Sequence, residues 1–166
     1  MKSVLLEKAI KGNKRALKKL ISKESEHIYK LAFLHTKYEE DATTILNNTT
    51  AYIYESIHRL SRYKDFHLYV LKVTIKHINE FLEEYGIVDN SHYNYIMEDG
   101  KINLYYAMDL LENRLKNTII LRYFYNMSYK EIGDILDLNE STVKLYIRKS
   151  LKLMALDLEE NFQNEK

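Results

Sequence analysis

Lys144, Arg148, Lys149 and Lys152 fall within nine residues at spacings that put cations along the exposed side of a helix. Ammonium and guanidinium groups in such a row neutralise phosphates, while short polar side chains in the first turn of the same helix reach base edges. Here that first turn begins with Glu140 and Ser141, and Leu145 adds an apolar contact beside Lys144. The chemistry these seven residues suggest is recognition of a DNA groove, with no bond made or broken.

Such a helix must be held at a fixed angle by a partner helix, and the residues upstream meet that need. Ser128 with Glu131 three residues on has the form of a capping box, which starts a helix at Tyr129. Gly133 falls where a close approach is needed, Asp137 occupies the turn, and Asn139 is a good cap for the second helix. Ile132, Ile135, Leu136 and Leu138 supply the packing, and Val143, Ile147, Leu151, Met154 and Leu158 read as the inward stripe of the second helix.

A second constellation lies in the N-terminal half. Capture of a melted strand needs aromatic faces for stacking beside cations for phosphates. Arg59, Arg62, Tyr63, Lys64, Phe66, Tyr69, Lys72 and Lys76 interleave the two types. Phe66 and Tyr69 share an apolar stripe and read as core, which leaves Arg62, Tyr63, Lys64, Lys72 and Lys76 as the single-strand candidates. The run Lys8, Lys11, Lys14, Arg15, Lys18 and Lys19 reads as a solvated basic face.

Reaction chemistry finds no foothold. The chain has no glycine-rich phosphate loop, nucleophile elbow or HExxH motif, and no cysteine for a thiolate site. His27, His35, His58, His67, His77 and His92 lack the i, i+4 pairing of a helical metal site. His35 and His77 sit on apolar faces and read as buried, hydrogen-bonded side chains. The expectation is a protein that is not an enzyme, with no cofactor, metal or small-molecule substrate.

The 166 residues carry a net charge of +1 and contain no proline and four glycines, a composition suited to long helices and unsuited to coating nucleic acid by bulk charge. No stretch has the apolar length of a membrane span or secretory signal, so the expected compartment is the cytoplasm. Apolar stripes at Leu17, Leu20 and Ile21, at Ile28, Leu31, Ala32 and His35, at Ala42, Ile45, Leu46, Thr49, Ile53 and Ile57, and from Phe66 to Phe81 predict four amphipathic helices. Gly12-Asn13 interrupts the start, with Asn13 as a cap. Periodicity fails between Gly86 and Asn103, where turn-forming and acidic residues dominate. The expected architecture is all-α: a helical domain over 1–85, an acidic linker over 86–103, and a helix-turn-helix domain over 104–166.

Residues 111–151 resemble region 4 of bacterial sigma factors, particularly the extracytoplasmic-function group. Leu111, Leu121, Arg122, Ser128, Tyr129, Glu131, Ile132, Leu136, Thr142, Val143 and Lys144 carry the likeness, with Lys149 where arginine is usual. Glu112 replaces a proline, Gly133 an alanine and Tyr146 an arginine. The N-terminal half is similar to region 2 at Ala9, Gly12-Asn13 and Ala16, at Asp41-Ala42, and at Phe66 with Tyr69. The resemblance implies two helical modules that bring core RNA polymerase to promoter DNA, the C-terminal one on the upstream (−35) element and the N-terminal one on the −10 element. It also implies an anti-sigma factor as inhibitor. Asp41, Thr44, Asn47 and Asn48 fall on the positions that grip the polymerase in the family, yet Thr43, Thr44, Asn47 and Asn48 stand where acids and glutamine are usual. Lys76 replaces the asparagine associated with reading an extruded base. Two other readings remain: a helix-turn-helix regulator that is not a sigma subunit, and a helical interaction scaffold that never meets DNA.

Overall fold

The computed structural model describes residues 4–57, 59, 65–85 and 104–164, with side chains to 155. The expected linker and the side chains beyond 155, Leu158 among them, lie outside that set. The described residues form eight helices and no strand. The chain divides into two compact units, Met1–Val88 and Asp89–Lys166.

The first unit contains α1 (Val4–Ile10), α2 (Lys14–Thr36), α3 (Glu39–Glu55) and α4 (Phe66–Tyr85). α1 ends because Gly12 takes the left-handed conformation at φ +89°, letting its N–H reach the Ala9 carbonyl and that of Asn13 reach the Lys8 carbonyl. Asn13 then opens α2, its Oδ1 accepting from Ala16 N–H at 3.0 Å. The stripes at Leu17 to Ile21 and Ile28 to His35 belong to this one 23-residue helix, not to two. The intervening Lys23, Glu24, Ser25 and Glu26 are polar without breaking it; the fourth helix is α1, whose Leu6 and Ala9 are buried. Glu39, Glu40 and Asp41 open α3, where the helix dipole favours negative charge. Asp65 caps α4 through the N–H groups of His67 and Leu68.

Ile28, Leu31, Ile45, Ile53, Leu71 and Ile78 are fully buried at the centre of this unit. Phe66 and Tyr69 are buried as expected, and the Tyr69 hydroxyl is satisfied inside by Ser56 Oγ at 2.6 Å. His77, half-buried, shares a 3.0 Å hydrogen bond with Thr49, and burial pushes its imidazole pKa below the ordinary 6.5.

The second unit contains α5 (Leu104–Asp109), α6 (Asn113–Tyr123), α7 (Tyr129–Leu136) and α8 (Glu140–Asn164). Met108, Leu115, Ile120, Leu121, Ile132 and Val143 make its core, and α8 packs against α5, α6 and α7 alike. Asp109 and Lys116 form a buried ion pair at 2.6 Å between α5 and α6.

Candidate nucleic-acid interface

α7 and α8 are built by the local devices their sequence carries. Glu131 N–H donates to Ser128 Oγ at 3.2 Å, and Ser128 N–H donates to the Glu131 carboxylate at 2.8 Å, so both halves of the capping box are present. Asp137 stands at φ 55°, which lets its own N–H and that of Leu138 both reach the Gly133 carbonyl. A Cβ on Gly133 would lie 2.5 Å from the Leu138 carbonyl oxygen. The close approach is therefore to the turn's backbone, and glycine lets the chain fold back tightly. Asn139 Oδ1 accepts from Thr142 N–H at 2.8 Å and fixes the first turn of α8.

The inward stripe of α8 is Val143, Ile147, Ser150 and Met154. Leu151, expected there, is 44% exposed. Steps of four, three and four residues keep 143, 147, 150 and 154 in one line, whereas position 151 lies about 80° away at 3.6 residues per turn. Ser150 can be buried because its hydroxyl donates to the Tyr146 carbonyl at 2.8 Å.

The complementary face carries Glu140, Ser141, Lys144, Leu145, Arg148, Lys149 and Lys152, all exposed. Ser141 Oγ donates to Asn139 Oδ1, holding the hydroxyl at the helix start. Tyr129, whose contribution the sequence did not reveal, lies between two cations: Arg122 is 5.0 Å and Lys144 5.4 Å from its ring centre. Arg122 is held in turn by the Met127 carbonyl at 2.8 Å. Lys149 approaches Glu112 at 3.7 Å, with both side chains more than half exposed.

In the first unit Lys72 is half-buried and Lys76 exposed on α4. Lys76 lies 4.7 Å from the centre of the Tyr52 ring and pairs with Glu80 at 3.4 Å, while Arg59 donates to the Tyr52 hydroxyl at 3.1 Å. Tyr52 is thus a second aromatic that gathers cations, unmarked in the sequence because its partners come from outside its helix. Arg62, Tyr63 and Lys64 lie outside the described residues. On α3, Thr44, Asn47 and Asn48 are exposed and Asp41 half-buried. Thr44 turns its hydroxyl back to the Glu40 carbonyl at 2.9 Å, and burial together with Glu40 raises the Asp41 carboxyl above 3.8. His27 and His67, distant in the sequence, are brought together with Glu24 across α2 and α4.

Residues 101–154 match the family model described as sigma-70, region 4. The RNA polymerase sigma factor SigV of Bacillus subtilis (strain 168) is 26% identical over 146 residues, which is 83% of this chain and 88% of SigV. The chain thus carries a sigma-70 region 4 match in its second unit and is similar to a sigma factor over most of its length. The SigV match takes in both units, more than a lone helix-turn-helix regulator or a scaffold would require. A solved structure of CnrH in complex with the cytosolic domain of CnrY shares the fold, with a TM-score of 0.74 at 15% identity over 95% of this chain and 96% of that chain. Among the described residues no helix is long and apolar enough to cross a membrane.

Proposed function

We propose that this chain is a sigma factor of the extracytoplasmic-function group, which recruits core RNA polymerase and directs it to promoters, with α8 seated in the major groove of the −35 element and the first unit at the −10 element. The observation that carries the reading is the union, on α7 and α8, of a complete capping box, a left-handed turn at Asp137 and a cationic outer face on α8. Glu140, Ser141 and Leu145 stand at the base-reading end; Lys144, Arg148, Lys149 and Lys152 contact phosphates. Lys72 and Lys76, with Arg62, Tyr63 and Lys64, serve the opened strand. Asp41, Thr44, Asn47 and Asn48 form the polymerase-facing side of α3, where the scarcity of carboxylates makes that contact less charged than the family pattern.

CnrH is held by the cytosolic domain of CnrY, and by analogy an anti-sigma partner masks these surfaces here. The site of action is the cytoplasm, and the protein works by positioning, without catalysis of its own. Run-off transcription with purified core polymerase and a library of upstream regions tests the reading. Promoter-specific transcripts are expected, and they fall when Lys144 and Lys149 are replaced by alanine. Failure to bind core polymerase at low salt overturns it.

A further inference from the structure

In the first unit Glu24 and His27, three residues apart on one face of α2, meet His67 from the first turn of α4. Glu24 Oε2 and His67 Nδ1 are 2.6 Å apart, the two imidazoles meet edge to face with centroids at 5.0 Å, and one donor atom from each residue lies within 4.8 Å of the others. His27 brings a second imidazole to this glutamate–histidine pair. Two imidazoles and one carboxylate are the donor set of an open transition-metal site, with a fourth position for water. Tetrahedral donors about 2.0–2.2 Å from an ion stand roughly 3.3 Å apart. The Glu24–His67 contact needs to widen by less than about 1 Å and His27 to close by at most about 1.5 Å, movements within side-chain reach because His27 is exposed and the other two half-buried.

We propose that Glu24, His27 and His67 bind one divalent transition-metal ion of the zinc class, fastening α2 to the first turn of α4. The ion takes the place of the proton between Glu24 Oε2 and His67 Nδ1, and the neutral imidazole then carries its single N–H on Nε2. Asp65 fixes the backbone of His67 by accepting its N–H at 2.8 Å, and Glu24 holds the ring through Nδ1. Nitrogen donors select zinc, cobalt or nickel over magnesium and calcium, which take oxygen.

The test uses the full chain without an affinity tag, titrated with Zn²⁺ against a competing chelator and with Co²⁺ as an optical probe. One ion per chain is expected, with the visible bands of a four- or five-coordinate cobalt centre. Zn²⁺ is expected to raise the Tm and Mg²⁺ to leave it unchanged. His27→Ala and His67→Gln should each weaken zinc affinity tenfold or more and abolish the Tm shift. His27 is exposed, so its variant folds, which the circular dichroism of the metal-free protein verifies. Absence of saturable one-to-one binding, or unchanged zinc affinity in His27→Ala, overturns the proposal.

Discussion

Lys149 has two competing partners, Glu112 at 3.7 Å and the DNA phosphate proposed for it. An exposed pair of this kind is worth at most about 1 kcal/mol, so Glu112→Gln is expected to tighten DNA binding by up to about fivefold at low salt. Fluorescence anisotropy on a −35 duplex checks it; unaltered affinity would show that Lys149 makes no phosphate contact. Lys144→Ala should weaken binding and make the dependence on log salt shallower by about one unit. At Gly133 two effects oppose each other. Alanine gains about 1 kcal/mol in helix propensity, but its Cβ meets backbone at 2.5 Å, and the carbonyl can yield only if the turn opens. The clash wins, and Gly133→Ala is expected to cost about 1–3 kcal/mol by denaturant unfolding. A gain in stability would mean that the turn relaxes freely. His77 supplies a pH term of definite sign. Burial lowers its pKa in the fold, against an opposing pull from Glu80 and a smaller push from Lys76. Its contribution is present above pH 6.5 and is lost as the pH falls through the lowered folded value. Tm measured from pH 7.5 to 5 should fall more steeply in the wild type than in His77→Gln; equal slopes would refute this.

Among the elements, α7 and the start of α8 were the most legible in the sequence. Their determinants are local: Ser128 and Glu131 bond to each other, Asp137 sets its own φ, and Asn139 bonds three residues ahead. Ser128→Ala should therefore cost about 1 kcal/mol, measured by unfolding of the intact chain. Where determinants are nonlocal the sequence said less. Two stripes of α2 read as two helices because a polar run looks like a break until the inner face is known to continue. Leu151 read as core because leucine at a four-residue step looks buried, whereas Ser150 is the residue that fits beneath α6. Tyr129 and Tyr52 gather cations from other elements, which no spacing announces. The Asp109–Lys116 pair between α5 and α6 was equally invisible. Replacing Asp109 alone with alanine leaves a buried ammonium and should cost about 3–5 kcal/mol, while an apolar pair of similar volume at both positions should come close to neutral. If the single and the double variant lose the same stability, the interaction between the two groups is not what matters.

At the scale of the molecule, the all-helical class followed from the absence of proline and the scarcity of glycine, and it holds through every described residue. The chain divides into two compact units, Met1–Val88 and Asp89–Lys166. Fragments 1–85 and 104–166 are expected to fold independently, because each unit encloses its own fully buried side chains. The summed circular dichroism of the two fragments should equal that of the whole chain; loss of helix in either fragment would show that the units depend on each other. Histidine pairing across α2 and α4 lay beyond the sequence for the same reason as the cation platforms, since proximity there is a product of the bundle.

α8 is at once the rod proposed to enter the groove and the wall on which α5, α6 and α7 rest. A ligand that pries α5 or α6 away from the rear of that rod therefore unseats the front as well. On the proposed reading, a grip on the back of that rod would silence the protein as readily as a plug over its reading edge, with the face proposed to meet DNA left uncovered.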